Sequence, residues 1–120
     1  DYSGELSMTK TRLTAQELLN TCVLKYSMVK LQYSECYNLP SSLSFYGATV
    51  RFNDNKFYIV GDFEYTKGDT EIYCMGWKQF YDLEDATKHL DFLVDKVANF
   101  EKLYKSYLEH KRLKKIKNDF

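Results

Sequence analysis

The sequence has 120 residues, and its 17 basic and 17 acidic side chains give no formal net charge at pH 7. This length fits one domain, since single domains cluster near ~100–150 residues. Hydrophobic residues make up 44% and charged residues 28%, close to the usage of globular proteins, which excludes a fully disordered chain. The sequence contains no apolar run of the ~18 residues that a membrane-spanning helix requires.

Residues 1–13 stand apart from the predicted fold. The first seven residues contain neither a basic stretch nor an apolar segment, so they do not form a signal peptide. Met8 follows them and is a candidate natural start, which makes residues 1–7 a frayed leader or the remnant of an expression vector. We expect residues 1–13 to be a poorly ordered leader or remnant, and residues 14–120 to form a single domain.

The cysteines and histidines show no pattern of a disulfide framework or a metal site. Cys22, Cys36 and Cys74 are odd in number and form no C-x-x-C pair. We interpret them as small buried side chains in the reducing cytoplasm. His89 and His110 lack zinc-ligand spacing. The sequence therefore predicts no metal, no cofactor and a cytoplasmic location.

A first helix is predicted over residues 15–37. Thr14-Ala-Gln-Glu17 is a capping box, in which the Thr14 hydroxyl accepts the Glu17 amide and the Glu17 side chain reaches back. Apolar or aromatic residues then recur in steps of four and three as far as Cys36, which is typical of a helix with one buried side. Pro40 ends the pattern, since the residue before a proline avoids helical geometry.

Three antiparallel strands are predicted between residues 44 and 78. Apolar residues alternate from Tyr46 to Phe52, and the residues 53–55 that follow are typical of a turn. Residues 56–65 and 70–78 are predicted as the second and third strands, with a turn at residues 66–69 between them. The expected fold is α+β, with an α-β-β-β-α order and a three-stranded meander packed by two helices.

The turn positions predict the register of this sheet. The first turn places Val50 opposite Ile59 and Phe52 opposite Phe57. A second turn centred on Lys67-Gly68 places Phe63 opposite Ile72, Ile59 opposite Gly76 and Tyr58 opposite Trp77. One face then carries Tyr46, Ala48, Val50, Phe52, Phe57, Ile59, Phe63, Ile72 and Cys74. The other face carries Phe45, Tyr58, Val60, Tyr73, Met75 and Trp77, together with Asp62, Glu64 and Glu71.

A long helix is predicted from Asp82 to about Lys117. Residues 82–85 offer an N-cap and first-turn acids, and apolar residues recur every three or four positions from Leu83 to Tyr107. A helix of ~36 residues spans ~54 Å, whereas a compact domain of this size has a radius of gyration near ~14 Å. We therefore expect the helix to overhang its domain beyond Leu108, and the seam over residues 83–107 is a candidate homodimer interface.

The aromatic face of the sheet is the first candidate binding site. Tyr58, Tyr73, Met75 and Trp77 are of the types favoured at the centres of protein interfaces. The carboxylates on the same face argue against a platform for single-stranded nucleic acid. The alternative interpretation is that one helix covers each face of the sheet and leaves no free patch.

The basic end of the last helix is the second candidate site. Residues 101–120 contain seven bases and three acids, whereas residues 82–100 contain two bases and five acids. The candidate contacts are Lys105, Lys111, Arg112, Lys114, Lys115 and Lys117. They favour nucleic acid or an acidic partner, but cations near a helix C-terminus also complement the helix dipole.

No residue pattern indicates catalysis. Acid pairs such as Asp91 and Asp95 share one helix face and are typical of solvated surface, and the sequence lacks a glycine-rich phosphate loop or a nucleophile elbow. We expect a protein that is not an enzyme. The element order matches the double-stranded RNA-binding domain, but acids at residues 82–85 stand where that family presents lysines to phosphate, which excludes it.

The sequence resembles small proteins of phages and mobile elements, including anti-CRISPR inhibitors. The likeness lies in the capped first helix, in Phe57-Tyr-Ile-Val60 and Glu71-Ile-Tyr-Cys74, and in Phe80-Tyr-Asp-Leu-Glu-Asp-Ala86, which opens the long helix. It implies a small inhibitor or adaptor that acts by docking on a partner protein rather than by catalysis. From the lack of a long apolar run we expect no membrane partner. Trp77, Tyr73 and Arg112 are the expected hot spots. The alternative is a nucleic-acid-binding accessory protein that uses the basic helix end.

Overall fold

The computed structural model describes residues 12–32 and 34–118. Within them the chain is mixed α+β. Helix α1 covers Ala15–Lys25 and helix α2 covers Leu83–Asn118. The strands between them are β1 Val29–Lys30, β2 Cys36–Asn38, β3 Ser44–Tyr46, β4 Val50–Asn53, β5 Lys56–Glu64 and β6 Glu71–Phe80. Residues 1–11, most of the predicted leader, lie outside the described part of the chain.

Helix α1 begins where the capping box predicts and ends much earlier than expected. The Thr14 hydroxyl accepts the Glu17 amide at 3.1 Å, and the Glu17 carboxylate accepts the Thr14 amide at 2.8 Å. The helix ends at Lys25, and Ser27 adopts a left-handed conformation with φ 53°. The predicted helix over 15–37 is therefore wrong, because the segment after Ser27 pairs as strands β1 and β2.

The sheet has six described strands rather than the three expected. Their order is β1-β2-β4-β5-β6-β3, and every neighbouring pair is antiparallel except β3 and β6, which are parallel. The first predicted strand is split at Gly47, which has φ 112°. Its first half becomes β3 at one edge of the sheet, and its second half becomes β4 between β2 and β5.

The register prediction is confirmed for β4 with β5 and is wrong for β5 with β6. Val50 lies opposite Ile59, as the first turn predicts. Phe63 lies opposite Cys74 rather than Ile72, and Tyr58 lies opposite Gln79 rather than Trp77. Likewise, Ile59 lies opposite Lys78 and not Gly76. Residues 65–70 connect the two strands, so the connection is longer than a two-residue turn, and the pairing is moved by two residues. Within it the Asp69 amide donates to the Thr66 carbonyl and the Tyr65 hydroxyl donates to the Asp69 carbonyl.

One hydrophobic cluster joins the sheet to both helices. It contains side chains from α1, from β4 to β6, from α2 and from the segment that follows β2. The members of the cluster that are fully shielded from solvent include Leu19, Cys22, Val50, Phe57, Ile59, Val60, Ile72, Leu90 and Leu93. Phe45 also packs against this cluster, with its ring 5.4 Å from that of Phe63. Its predicted place on the face of Tyr58 and Trp77 is therefore wrong.

Helix α2 follows the prediction closely, but its seam is not free. The Asp82 carboxylate accepts the Asp85 amide at 2.8 Å and caps the helix. Ala86, Leu90, Leu93 and Val97 are buried in the protein's own core. The seam over 83–107 is thus not available to a second copy, and its interpretation as a homodimer interface is corrected.

The end of α2 overhangs the fold as expected. Gly68 lies directly against the Tyr107 ring, where the helix passes the tip of the β5–β6 hairpin. Every residue from Leu108 to Asn118 is exposed. The Cα radius of gyration is 18.6 Å and the longest extent is 79 Å, so the molecule is elongated. Neither described helix combines the length and apolar character needed to cross a membrane.

Candidate protein-interaction surface

Three side chains from neighbouring strands form the centre of the candidate surface. Arg51 of β4 lies with its guanidinium carbon 5.1 Å from the ring centroids of both Tyr58 on β5 and Trp77 on β6. Cation–π contacts of this kind contribute ~0.5–2 kcal/mol each. Trp77 is 40% exposed and Tyr58 is half-buried, so the group faces solvent. We call these three residues the Arg51 stack.

Arg51 has no acceptor for its charge within the described residues. Its Nε atom is shielded from solvent, and neither a hydrogen bond nor an ion pair satisfies it in that part of the chain. Arginine carries five N–H donors in a planar fork that fits carboxylates and carbonyl groups. The stack therefore holds the guanidinium against two aromatic rings, with Nε shielded and the terminal nitrogens open to solvent.

A second aromatic group lies at the other end of β6. Tyr73 is paired with Tyr46 of β3, and their ring centroids are 5.4 Å apart. Both rings are exposed, so the prediction that Tyr46 shares a face with the buried Val50 and Ile59 is wrong. The nearby Asp69 carboxylate raises the pKa of Tyr73, with smaller contributions from burial and Glu71. This end of the surface is therefore acidic.

The structure does not merge all four predicted sheet residues into one patch. Tyr58 and Trp77 meet through Arg51, whereas Tyr73 contacts Tyr46. Met75 is exposed between them, and Gly76 follows it with φ 75°. A glycine in this conformation interrupts the regular alternation of a strand. The surface consists of the Arg51 stack and the Tyr46–Tyr73 pair on either side of that interruption.

Sequence reasoning missed Arg51 and Tyr46 as members of the surface. A signal for Arg51 was present, because a register that places Val50 opposite Ile59 also places Arg51 opposite Tyr58. For Tyr46 no such signal existed, since a parallel edge strand cannot be deduced from turn positions. Phe45 and Tyr46 exchange their expected faces because β3 leaves the line of β4 at Gly47.

The acidic residues near this surface differ in their contacts. Asp62 accepts a hydrogen bond from Lys96 of α2 at 2.6 Å, and this contact holds the pKa of Asp62 below its ordinary value. Glu64 is exposed and lies opposite Tyr73 in the sheet. A negative end near Tyr73 and a positive centre at Arg51 give the surface a charge pattern that a partner would have to match.

The basic helix end is separate from the sheet surface. The predicted contacts there are all exposed on α2: Lys105, Lys111, Arg112, Lys114, Lys115 and Lys117. Within the described residues, neither a ring contact nor an ion pair connects them to the Arg51 stack or to the Tyr46–Tyr73 pair. The two predicted sites are therefore independent surfaces.

The remaining reactive side chains have structural roles. His89 lies between the rings of Phe80 and Phe92, and its Nε2 hydrogen-bonds to the Val60 carbonyl at 2.8 Å. The thiols are unpaired, and burial raises the pKa of Cys22 to about 11 and that of Cys74 to about 12. In residues 12–32 and 34–118, His, Cys, Asp and Glu form no group of three or more that could hold a metal ion.

Comparison with known proteins gives no match. No family model fits the sequence, and the searches of curated proteins and of solved structures also found none. The resemblance to phage and mobile-element proteins stays a hypothesis. The candidate surface is defined by the residues and contacts of this chain alone.

Proposed function

We propose that the chain is a small non-enzymatic binding module that docks on a partner protein through the Arg51 stack. The Tyr46–Tyr73 pair and Met75 flank this contact. Tryptophan, tyrosine and arginine are the residue types most enriched at interface hot spots. An inhibitor or adaptor of the phage or mobile-element kind, acting in the cytoplasm, fits this mode of action.

The observation that supports the proposal is an arginine held between two solvent-facing rings without a hydrogen-bond acceptor from the described residues of its own chain. A carboxylate or backbone carbonyl from a partner would accept hydrogen bonds from the terminal nitrogens of Arg51, and the rings would bury apolar area around these bonds. Charged hydrogen bonds shielded from water are stronger than exposed ones. The acidic end at Asp69 and Glu71 would orient the partner by repelling its carboxylates.

Affinity capture with matched variants tests this function. The tagged chain is compared with Trp77→Ala, Arg51→Gln and the control Leu24→Ala, which removes a more exposed apolar side chain on α1. A partner captured by the wild type and by Leu24→Ala, but lost with the two stack variants, supports the proposal. Equal capture by all four proteins contradicts it. Circular dichroism must show that each variant keeps its fold.

A second candidate function is supported by the exposed helix end. Residues 111–117 carry five cations on a helix that projects past its own domain. Neutralising about five phosphates would give a salt dependence of ~500-fold in affinity between 50 and 200 mM salt. Titration with labelled mixed-sequence DNA and RNA at these two concentrations measures it. Absence of binding at the lower concentration would eliminate this function.

A further inference from the structure

Strand β6 has an unpaired outer edge over most of its length. On one side it pairs with β5 between residues 73 and 80. On the other side β3 pairs with it only over residues 71–73, and β3 is the last strand of the sheet. Among the described residues, no strand lies beside residues 74–80 on this side, which we call the open edge. At ~3.3 Å per residue it is ~20 Å long, enough for a further strand of about six residues.

Backbone groups of Trp77 and Gln79 point to the open edge. The Val60 amide of β5 donates to the carbonyl of the residue before β4, on the side away from β6. Because backbone groups alternate in direction along a strand, those of Ile59 point to β6, where Lys78 lies opposite. The groups of Lys78 therefore face β5, and those of its two neighbours face outward. An unpaired row of amides and carbonyls is a template for another strand.

The side chains along the open edge do not shield it. Met75, Gly76, Trp77 and Lys78 are all exposed, although consecutive side chains of a strand point to opposite faces. Both faces of the strand are therefore open to solvent there. Edge strands that only avoid aggregation typically carry several charges or a proline. Here Lys78 is the one charged residue of the segment 74–80, and two large apolar side chains are exposed beside it.

A groove adjoins the end of the open edge. It has a volume of about 590 Å³ and lies between residues 78–81 and the first turns of α2. Phe80, His89 and Phe92 form an aromatic wall, in which the His89 ring stacks on Phe80 with centroids 5.3 Å apart. Phe92 is 47% exposed. The wall can therefore receive apolar side chains of a strand that lies along the edge.

The charges of the groove favour an acidic segment. Lys78 and Lys88 line it together with a single acid, Asp85. Neither lysine forms an ion pair in the part of the chain that the structure describes. The carboxylate of Asp82, the next acid along the chain, accepts the Asp85 amide and caps α2. A carboxylate of a partner would thus meet two lysine cations that lack an ion-pair partner.

We propose that an extended acidic segment of the partner protein adds to the sheet as a strand along the open edge of β6. It makes main-chain hydrogen bonds to the edge, places apolar side chains against Phe92 and pairs a carboxylate with Lys78 and Lys88. This inference rests on the proposed docking function, because Trp77 belongs both to the open edge and to the Arg51 stack, and it names the form that the partner takes there.

A phage-displayed library of random dodecapeptides, selected on the immobilised chain, provides the probe. The selected peptides should carry Asp or Glu next to apolar residues. A synthetic peptide of the selected sequence is then N-methylated at one backbone amide at a time. Methylation should weaken binding at least about tenfold at every second position and change it little at the positions between, because a strand donates to one edge from alternate residues. Fluorescence anisotropy measures the Kd of each peptide.

Matched variants of the chain complete the experiment. Gln79→Pro removes an outward amide, which an edge strand tolerates, and should weaken binding at least about tenfold. Lys78→Glu with Lys88→Glu should do the same. The control Lys114→Glu with Lys117→Glu makes the same charge change on the projecting helix end and should bind like the wild type. Circular dichroism checks each fold, and the N-methylation series decides the question if Gln79→Pro does not fold.

The outcomes separate this inference from the proposed function. A peptide that loses affinity with Arg51→Gln and Trp77→Ala, but tolerates Gln79→Pro and every N-methylation, keeps the docking function and overturns the added strand. An alternating N-methylation pattern combined with equal capture of the partner by the stack variants supports the strand and removes the Arg51 stack as the docking site. A selection that yields no binding peptide overturns the inference. So does a wild type that dimerises and becomes monomeric with Gln79→Pro, because the open edge then belongs to a second copy.

Discussion

Arg51 lies at the centre of the candidate surface, but its residue type and sequence position did not predict this. Tyr58 and Trp77 were predicted as candidate binding residues from their residue types, because aromatic residues on one face of a strand are typical of interfaces. Arg51 was assigned no role, although the correct β4–β5 register already placed it beside Tyr58. The diagonal contact with Trp77 depends on the β5–β6 register, which the sequence predicts two residues out of place. The stack could therefore be found only from the structure.

The ion pair of Asp62 with Lys96 should make the stability of the fold depend on pH. Its hydrogen bond to Lys96 holds its pKa below the ordinary value of 3.8. A lowered pKa means that the pair stabilises the fold above about pH 4, and that this contribution disappears as the pH falls through the folded-state pKa. The side chains of Lys96 and Asp62 are 30% and 49% exposed, so solvent screening limits the contribution to less than ~1 kcal/mol.

Asp62→Asn should therefore lower the free energy of unfolding slightly at pH 7, and the difference from wild type should shrink towards zero at pH 2. Urea unfolding at a series of pH values measures it. Glu64→Gln is the control, because Glu64 is exposed and makes no ion pair in the described residues, so this variant should keep nearly the free energy of unfolding of the wild type at pH 7. A difference for Asp62→Asn that grows as the pH falls would show that the sign is wrong.

Among the elements, the helices and the strands were predictable to different degrees. Both helix starts follow from local capping residues, Thr14 and Asp82, and both are confirmed. The end of α1 was missed because residues 29–36 continue a helical spacing, whereas in the structure β1 pairs with β2 and β2 pairs with β4. Tyr37 pairs with Val50, for example. The pairing of β2 with β4 overrides the local helical spacing of residues 29–36. A single sequence does not show that pairing.

Two glycines determine the course of the strands and give a matched comparison. A Cβ atom at Gly47, where φ is 112°, would lie 3.0 Å from the Cβ of Cys74. At Gly76, where φ is 75°, a Cβ atom would meet open space. We expect Gly76→Ala to cost ~1 kcal/mol of unfolding free energy from backbone strain alone. Gly47→Ala should cost more than ~2 kcal/mol, because a tight contact with Cys74 is added to the strain.

Urea unfolding of the two alanine variants measures both costs. Equal losses would mean that the contact between residue 47 and Cys74 does not matter, and that the split between β3 and β4 has another cause. Gly61→Ala is a useful third variant, since its Cβ atom would lie 3.3 Å from a backbone oxygen without a positive φ.

The whole molecule consists of a packed domain and a projecting helix end, residues 108–118 of α2. The length of the uninterrupted helical pattern after Asp82 predicted that α2 overhangs the domain. The predicted start of the overhang, near Leu108, is confirmed. The interpretation of the seam over residues 83–107 as a homodimer interface was wrong. A heptad-like pattern does not distinguish a seam that packs against its own sheet from one that packs against another chain. The six-stranded order of the sheet and the parallel edge strand β3 could not be predicted either, since both depend on pairings between strands that are distant in sequence.

Removal of residues 108–120 should leave the thermal unfolding midpoint within a few degrees of the wild type, because the described residues of this segment are all exposed. The truncated chain should also lose any affinity for nucleic acid. Removal from residue 100 onward is the control, since it deletes the Phe100 ring that stacks on Tyr65 at 5.0 Å and should lower the midpoint strongly. A chain of residues 1–107 that fails to fold would contradict this division.

Fluorine NMR of the chain labelled with fluorotryptophan tests the central claim most directly, because Trp77 is the only tryptophan. The labelled protein gives one signal from the Arg51 stack, and an unlabelled partner contributes none. We predict that addition of the captured partner shifts this signal, and that Arg51→Gln weakens the shift together with the affinity. If the partner forms a complex of the expected mass while the Trp77 signal stays unchanged, the Arg51 stack is not the binding site.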